Sequence, residues 1–286
     1  MREHRLKILL LSLLFGHALH CSSGNLSPQK RALTNSAIRA ETAYEEGYPY
    51  LAVSHWQEVI RKSQILDDQQ NEALGHANLA TIYINSGKME LAEDHLNMAQ
   101  KLVDPQINPE IYVRNAIHQS TALIHQGKFN EAQKLLDNLK TLENGYTNHT
   151  IQAAIANAQG LLWLREQNLT RAEQAFKKAY KLGEDNSDIT IQAAALNNLG
   201  YYYLENNELR HAAENFLLAL EFDKTREYIP GIGLNLLGLA ITAHRDDRVL
   251  DAVKLHERAI RVNSGIGADH LVKRSTDALT LLNSET

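Results

Sequence analysis

The stretch NNLGYYYLENNELRHAAENFLLAL, residues 197–220, decides the fold of this chain. It contains a Leu-Gly pair, three consecutive tyrosines, a polar turn, and then Ala212, Phe216 and Ala219 at helical spacing. A small residue on each of two antiparallel helices lets their backbones approach, and a large side chain one turn later fills the gap between them. The stretch therefore predicts a pair of helices packed closely together.

The same pattern recurs every forty residues along the chain. Four residues after the repeated alanine comes a large apolar or aromatic residue in five copies, with His256 as the exception, and twelve residues before it comes a small residue. A fixed period of this length is typical of helical repeat arrays. The sequence predicts six helix pairs, marked by Ala52, Ala92, Ala132, Ala172, Ala212 and Ala252.

The turn within each pair has its own signature. The position five residues before the repeated alanine holds glycine or another residue that suits a turn with a positive φ angle. They are Gly47, Gly87, Gly127, Gln167, Asn207 and Asp247.

The pattern Leu199, Gly200, Tyr203, Ala212 and Phe216 resembles the tetratricopeptide repeat (TPR). The resemblance implies an all-α fold, a right-handed superhelical α-solenoid of TPR-like helix pairs with a C-terminal capping helix. The repeat is longer than the family's usual unit of about 34 residues, so we expect the additional residues to lengthen helices or linkers.

The chain divides into four predicted segments. Residues 1–20 are a signal peptide and residues 21–32 a flexible tether. Residues 33–266 hold six repeats that start near residues 33, 73, 113, 153, 193 and 233, and residues 267–286 form the capping helix and tail.

The N-terminal segment indicates export. Arg2, Arg5 and Lys7 precede an apolar run at residues 8–15, which suits a signal peptide but is too short to span a bilayer. Cys21, the single cysteine, follows it in a position that resembles the lipidation site of a bacterial lipoprotein. The resemblance implies a lipid anchor in the cell envelope, on the periplasm-facing outer membrane or the cell surface. Ordinary cleavage after Ala18 is the alternative, and it would give a soluble secreted protein.

Composition and motifs argue against several kinds of chemistry. The net charge of −5 offers no basic footprint for nucleic acid, so we expect membrane contact only through the N-terminal lipid. No HExxH, C-x-x-C, G-x-S-x-G or Walker-type loop is present in the sequence. His118 and His125 share a helix face but lack a third ligand nearby in sequence. We predict no catalytic residues, no metal and no cofactor.

The resemblance implies that the second, fifth, ninth and twelfth positions of each first helix, with the place after them, face a concave groove that binds a protein or peptide. Asn157 and Asn197 occupy the same position in adjacent repeats, so their amides either read a partner's backbone or tie neighbouring helices together. Tyr201 is expected to face the groove and Tyr203 to pack between helices. The candidate groove residues are Tyr44, Asn85, Arg114, His125, Asn157, Arg165, Asn197, Tyr201, Glu205 and His244. The repeat-packing residues are the six alanines with Gly160, Gly200, Tyr203 and Phe216.

The predicted function is that of a non-enzymatic scaffold or adaptor, anchored at the cell envelope, which binds a protein or peptide partner in its groove. Two alternatives stay open at this stage. One is a structural or assembly protein that acts through self-association without a groove ligand. The other is a soluble secreted TPR protein.

Overall fold

The structure is a computed structural model that describes residues 27–285, apart from residues 106, 108 and 144–147. Every regular element in this part of the chain is an α-helix, which confirms the predicted all-α solenoid with a C-terminal capping helix. The helices are α1 Pro28–Glu45, α2 Pro49–Ile65, α3 Gln69–Asn85, α4 Met89–Leu102, α5 Pro109–His125, α6 Phe129–Glu143, α7 His149–Arg165, α8 Leu169–Asp185, α9 Ile189–Glu205, α10 Leu209–Thr225, α11 Ile229–Arg245, α12 Val249–Gly265 and α13 Asp269–Glu285.

Six antiparallel pairs, from α1–α2 to α11–α12, follow one another, and α13 packs on the last pair. The first helix of each pair begins four or five residues before the corresponding start expected from the sequence. In the fifth pair both helices have 17 residues and are joined by a turn at residues 206–208. The extra length relative to a unit of about 34 residues therefore lies in the helices rather than in the linkers.

The turns explain why the helices end where they do. In the first turn, the N–H of Tyr48 donates to the carbonyl of Ala43 at 2.7 Å while Gly47 adopts φ +83°. This is the Schellman arrangement, in which a residue of positive φ satisfies the free carbonyls of a helix end. The predicted positive φ is confirmed at all six positions within the pairs. The turns between pairs use the same conformation at Asp67, Ser187, Glu227 and Gly267, which the sequence did not reveal.

The core depends on matched volumes across each pair. A β-carbon added at Gly200 would lie 2.7 Å from the ring of Phe216, and one at Gly160 would collide with Phe176. Where the small residue is Ala80 in place of glycine, the facing large residue is Leu96. The third pair likewise combines Ser120 with Leu136, and all six repeated alanines are fully buried. The first pair is an exception, because it places Trp56 opposite Ala40.

The two ends of the solenoid meet. The largest apolar core contains residues of the first two pairs, such as Trp56 and Leu79, together with Leu234 and Leu271 near the C-terminus. The core inside the third pair, around Leu136, is a separate cluster. Because the first two pairs share a core with the last ones without passing through the third pair, the chain has curved round until its end lies against its beginning.

We expect the volume match at Gly200 and Phe216 to be visible in stability. A methyl group at Gly200 overpacks the site at a cost of about 1–3 kcal/mol, of which the better helix propensity of alanine returns up to about 1 kcal/mol. Gly200→Ala should therefore lower the free energy of unfolding measured in urea, and Phe216→Leu in the same chain should restore part of it. If the loss of stability in the double variant equals the sum of the losses in Gly200→Ala and Phe216→Leu, this packing is contradicted.

Candidate functional site

The concave face of the solenoid is closed in this structure. In the fourth and fifth pairs, the side chains at the second, fifth, ninth and twelfth positions of the first helix are at most 5% exposed. They are Ala154, Asn157, Leu161 and Leu164 on α7, and Ala194, Asn197, Tyr201 and Leu204 on α9. An open groove lined by these residues is therefore absent from the described structure.

The candidate groove residues fall into two classes. Five are buried, namely Tyr44, Arg114, Asn157, Asn197 and Tyr201, and five are half-buried, namely Asn85, His125, Arg165, Glu205 and His244. Four of the half-buried residues end the first helices of successive pairs, α3, α5, α7 and α9. We call this row, Asn85, His125, Arg165 and Glu205, the rim.

The rim carries one charge, the Glu205 carboxylate, that does not stabilise its own helix. Arg165 at the C-terminal end of α7 suits the helix dipole, whereas Glu205 at the equivalent end of α9 opposes it. Burial lowers the pKa of the Arg165 guanidinium, and the nearby Glu205 carboxylate partly offsets this. Arg165 and Glu205 therefore present adjacent opposite charges at the mouth of the concave face.

Asn197 belongs to a buried network that joins three helices. Its Nδ2 donates to Oδ1 of Asn235 at 2.7 Å, and Nδ2 of Asn235 donates to Oδ2 of Asp223 at 2.7 Å. Arg226 completes the chain with a 2.8 Å bond to Oδ1 of Asp223. The network links α9, α10 and α11, and burial raises the pKa of Asp223 although Arg226 and Asn235 favour its charged form.

Asn157 has the same kind of role one repeat earlier. Its Oδ1 accepts a hydrogen bond of 3.2 Å from Nδ2 of Asn198 on α9. Both asparagines are thus engaged between neighbouring helices in this structure, which favours the alternative in which their amides tie those helices together. A buried amide that keeps one internal partner avoids part of a desolvation cost of about 1–3 kcal/mol.

Tyr201 differs from the expectation, whereas Tyr203 packs against the neighbouring helix as expected. Tyr201 is fully buried, and its ring meets that of Phe216 edge-on with 4.9 Å between the ring centroids. It therefore does not face an open groove in this structure, contrary to the expectation. Among the described residues its hydroxyl has no hydrogen-bond partner. Tyr203 is half-buried and lies 5.2 Å from the ring of His211 on the adjacent helix α10. Gly200 and Tyr201 thus both pack on Phe216, because α9 approaches α10 so closely.

Several histidines are buried without a metal-binding arrangement. His118 Nε2 lies 3.0 Å from the hydroxyl of Thr81, and Nδ1 of His76 lies 2.8 Å from Nδ1 of His95. Burial lowers the pKa of His76 to about 4, of His118 to about 3 and of His256 to about 4. The described part of the chain contains no group of three or more His, Cys, Asp or Glu side chains able to hold a metal ion.

Comparison with known proteins identifies the fold and nothing more specific. No protein-family model matches the sequence, and a search of curated proteins finds no match. Among solved structures, 90% of this chain superposes on 77% of a Rap protein complexed with competence and sporulation factor, with a TM-score of 0.63 and 13% identity.

Two other solved structures have the same architecture. A signal-transduction ATPase with numerous domains and a TPR sensor, from Pyrococcus horikoshii, matches 87% of this chain with a TM-score of 0.60 and 13% identity. This chain spans only 37% of the ATPase. BtubC from P. vanneervenii matches 84% of this chain over 93% of its own length, with a TM-score of 0.50 and 14% identity. These likenesses show a TPR-like helical solenoid.

The predicted signal peptide and Cys21 lie outside the described residues. Within the described residues, the helices are too short or too polar for any of them to cross a bilayer.

We expect the buried histidines to make stability depend on pH. A histidine whose pKa is lowered by folding stays neutral in the fold, while the unfolded chain takes up a proton near pH 6.5. Stability is therefore complete above pH 6.5 and falls as the pH is lowered toward 4. A shift of His256 from 6.5 to about 4 corresponds to about 3 kcal/mol at full effect.

The variant His256→Leu tests this contribution, because Leu96 and Leu136 occupy the equivalent position opposite a small residue. The free energy of unfolding, measured in urea between pH 7 and 4, should depend less steeply on pH in this variant. The reciprocal Leu136→His should add dependence on pH. An unchanged slope in His256→Leu would show that His256 is not a source of acid sensitivity.

Proposed function

We propose that this chain is a non-enzymatic scaffold that binds a protein or peptide partner, exported and held at the cell envelope by a lipid on Cys21. The observation that carries the proposal is the rim, in which half-buried polar side chains end the first helices of four successive pairs. A solenoid places such equivalent positions side by side along one surface, so one extended partner can contact several of them.

The buried state of the concave face moves the proposed contact from the groove floor to the rim. Arg165 and Glu205 keep part of their surface in water, whereas Asn157 and Asn197 do not. The mixed charge of these two residues favours a partner segment that carries both signs of charge, because each rim charge then meets its opposite. The similarity to a Rap protein complexed with competence and sporulation factor supports partner binding by this architecture.

The anchor rests on the sequence alone. A single cysteine directly after an apolar leader is hard to explain as a disulfide partner, because no second cysteine exists in the chain. Acyl chains bind membranes through buried methylene groups and need no positive charge, which agrees with the net charge of −5. Self-association without a rim ligand and release as a soluble secreted protein are the outcomes that the two experiments below would support instead.

We expect the rim to determine partner capture. Full-length protein carrying Arg165→Ala and Glu205→Ala should retain a given prey from solubilised envelopes at least about tenfold less than wild type, equivalent to about 1.4 kcal/mol. The matched control is Lys181→Ala with Asp185→Ala, which removes an exposed ion pair of 2.8 Å on α8. Equal loss in both variants, or full retention in the rim variant, would contradict binding at the rim.

We expect Cys21→Ala to abolish membrane attachment in a host that processes lipoproteins. Wild type should fractionate with membranes and incorporate a labelled fatty acid, and the variant should do neither while folding to the same helical content. Membrane fractionation that survives the substitution would remove the lipid anchor, and a secreted wild type would establish the soluble alternative.

A further inference from the structure

We infer that the contact between the two ends of the solenoid is a latch, and that the closed state described above is a resting state from which the concave face opens. The inference rests on the proposed function in one respect only, namely that the ligand which enters the opened concave face is a protein or peptide. We call this contact the seam. It comprises Tyr44, Gly47, Tyr50, Asn85 and Gly87 on one side, and Tyr228, Ile229, Ile266, Gly267 and His270 on the other.

The seam joins opposite edges of the array. The turns at residues 46–48 and 86–88 lie within pairs, whereas those at 226–228 and 266–268 lie between pairs. In a row of antiparallel helices these two kinds of turn lie at opposite edges. The turns before α11 and α13 therefore contact the turns of the first two pairs, edge against edge.

Two glycines make this approach possible. A β-carbon at Gly47 would lie 2.9 Å from Cγ2 of Ile266, and one at Gly87 would lie 3.0 Å from the ring of His270. The equivalent Gly127 of the third pair has the same positive φ but nothing within 4 Å of its β position. All three glycines suit the turn conformation, but only the first two are needed by the seam.

Tyr44 and His270 make polar contacts across the seam, His270 with the backbone of Ser86. The hydroxyl of Tyr44 accepts a hydrogen bond of 2.5 Å from Nδ2 of Asn85 and is also hydrogen-bonded to the side chain of Tyr228. On the opposite side, the ring of Tyr50 lies 3.3 Å from the β position of Gly267, although 71% of Tyr50 remains exposed. Tyr44 is thus a buried link between α1, α3 and the turn before α11, and burial raises its pKa to about 12.

A small cleft lies along the seam. It is lined by Tyr44 and Pro49 on one side and by Pro230, Leu234 and Leu271 on the other. Within the cleft the centre of a water molecule has about 20 Å³ in which to move, which is enough for one water. Separation of the seam would hydrate a surface that already borders this space, whereas separation of a helix pair would expose close-packed core.

Opening therefore has a low cost compared with unfolding, and it leaves the six helix pairs intact. The elements that move in such transitions are those with few buried apolar contacts, and relative motion of packed segments is a common form of switching. In the closed state the inner positions of the fourth and fifth pairs are buried, whereas the rim reaches the surface. A ligand that binds the concave face shifts the population toward the open state in proportion to its preference for that state.

The experiment uses two kinds of variant of the full-length chain, both carrying Cys21→Ser. One, the lock, joins the two sides of the seam by a disulfide, and the other, the wedge, inserts a bulky side chain between them. The lock is Gly87→Cys with His270→Cys, whose β-carbons would be 3.3 Å apart, close to the roughly 3.5–4.5 Å of a disulfide. The wedge is Gly47→Leu, and its matched control is Gly127→Leu, which introduces the same residue at a positive φ without meeting the seam. Each variant is compared by hydrogen exchange and by small-angle X-ray scattering.

If the seam is a latch, oxidation of the lock slows amide exchange in α1 and α11 at least about tenfold relative to the reduced form of the same protein. The wedge speeds this exchange and increases the radius of gyration, whereas Gly127→Leu leaves both as in wild type. Equal exchange in the oxidised and reduced lock, or equal effects of Gly47→Leu and Gly127→Leu, would overturn the inference.

These readouts need no partner, so the latch can fail or succeed independently of the proposed function. Prey capture by the oxidised and reduced lock then tests its role in access. Capture that increases on reduction supports a role of the latch in access to the concave face. Capture that does not change overturns that role and leaves binding at the rim. If the latch is observed but no variant captures a prey, the proposed function fails and the conformational inference stands.

Discussion

The close approach of the two helices in each pair is the constraint on which the rest of the structure depends. Glycine, alanine or serine on the first helix and alanine on the second bring the backbones together, and one large side chain fills what remains. Gly200 and Phe216 show the limit of this arrangement, since a single methyl group at Gly200 would require the phenylalanine ring to move. Because each pair repeats the geometry after forty residues, each pair rotates relative to the last in a similar way.

That accumulated rotation brings the ends together and determines what the concave face can do. The regular stacking carries Ile266 and His270 to the turns of the first two pairs, where Gly47 and Gly87 leave space for them. Tyr201 packs on Phe216 within its own pair, and Asn197 joins a network with Asn235 and Asp223 on the two following helices. We propose that the partner-binding surface is the rim in the closed state and that the inner face becomes accessible when the seam separates.

The sequence predicts the parts of this fold that depend on local spacing. The repeated alanines, the small residue twelve positions earlier and the positive φ at Gly47 or Asn207 all follow from residues that lie within one pair. The amides of Asn157 and Asn197 illustrate an intermediate case, because the equal spacing is visible but either role fits it. Their partners Asn198 and Asn235 lie about one repeat away, and only the structure shows which hydrogen bonds form.

The seam was not predictable from the sequence. Tyr44 and Tyr228 are almost two hundred residues apart, and their contact depends on small rotations added over several pairs. Nothing in the local sequence of Gly47 or Gly87 distinguishes them from Gly127, which occupies the same turn but meets no distant residue.

Closure of the solenoid is the central claim, and the distance across the seam tests it most directly. Leu51 and Ser264 are exposed positions next to the two sides of the seam and can carry spin labels in a Cys21→Ser chain. Pulsed electron resonance on the full-length protein should give one short and narrow distance distribution. A broad distribution centred at long distance would show that the two ends do not meet in solution and would contradict the account.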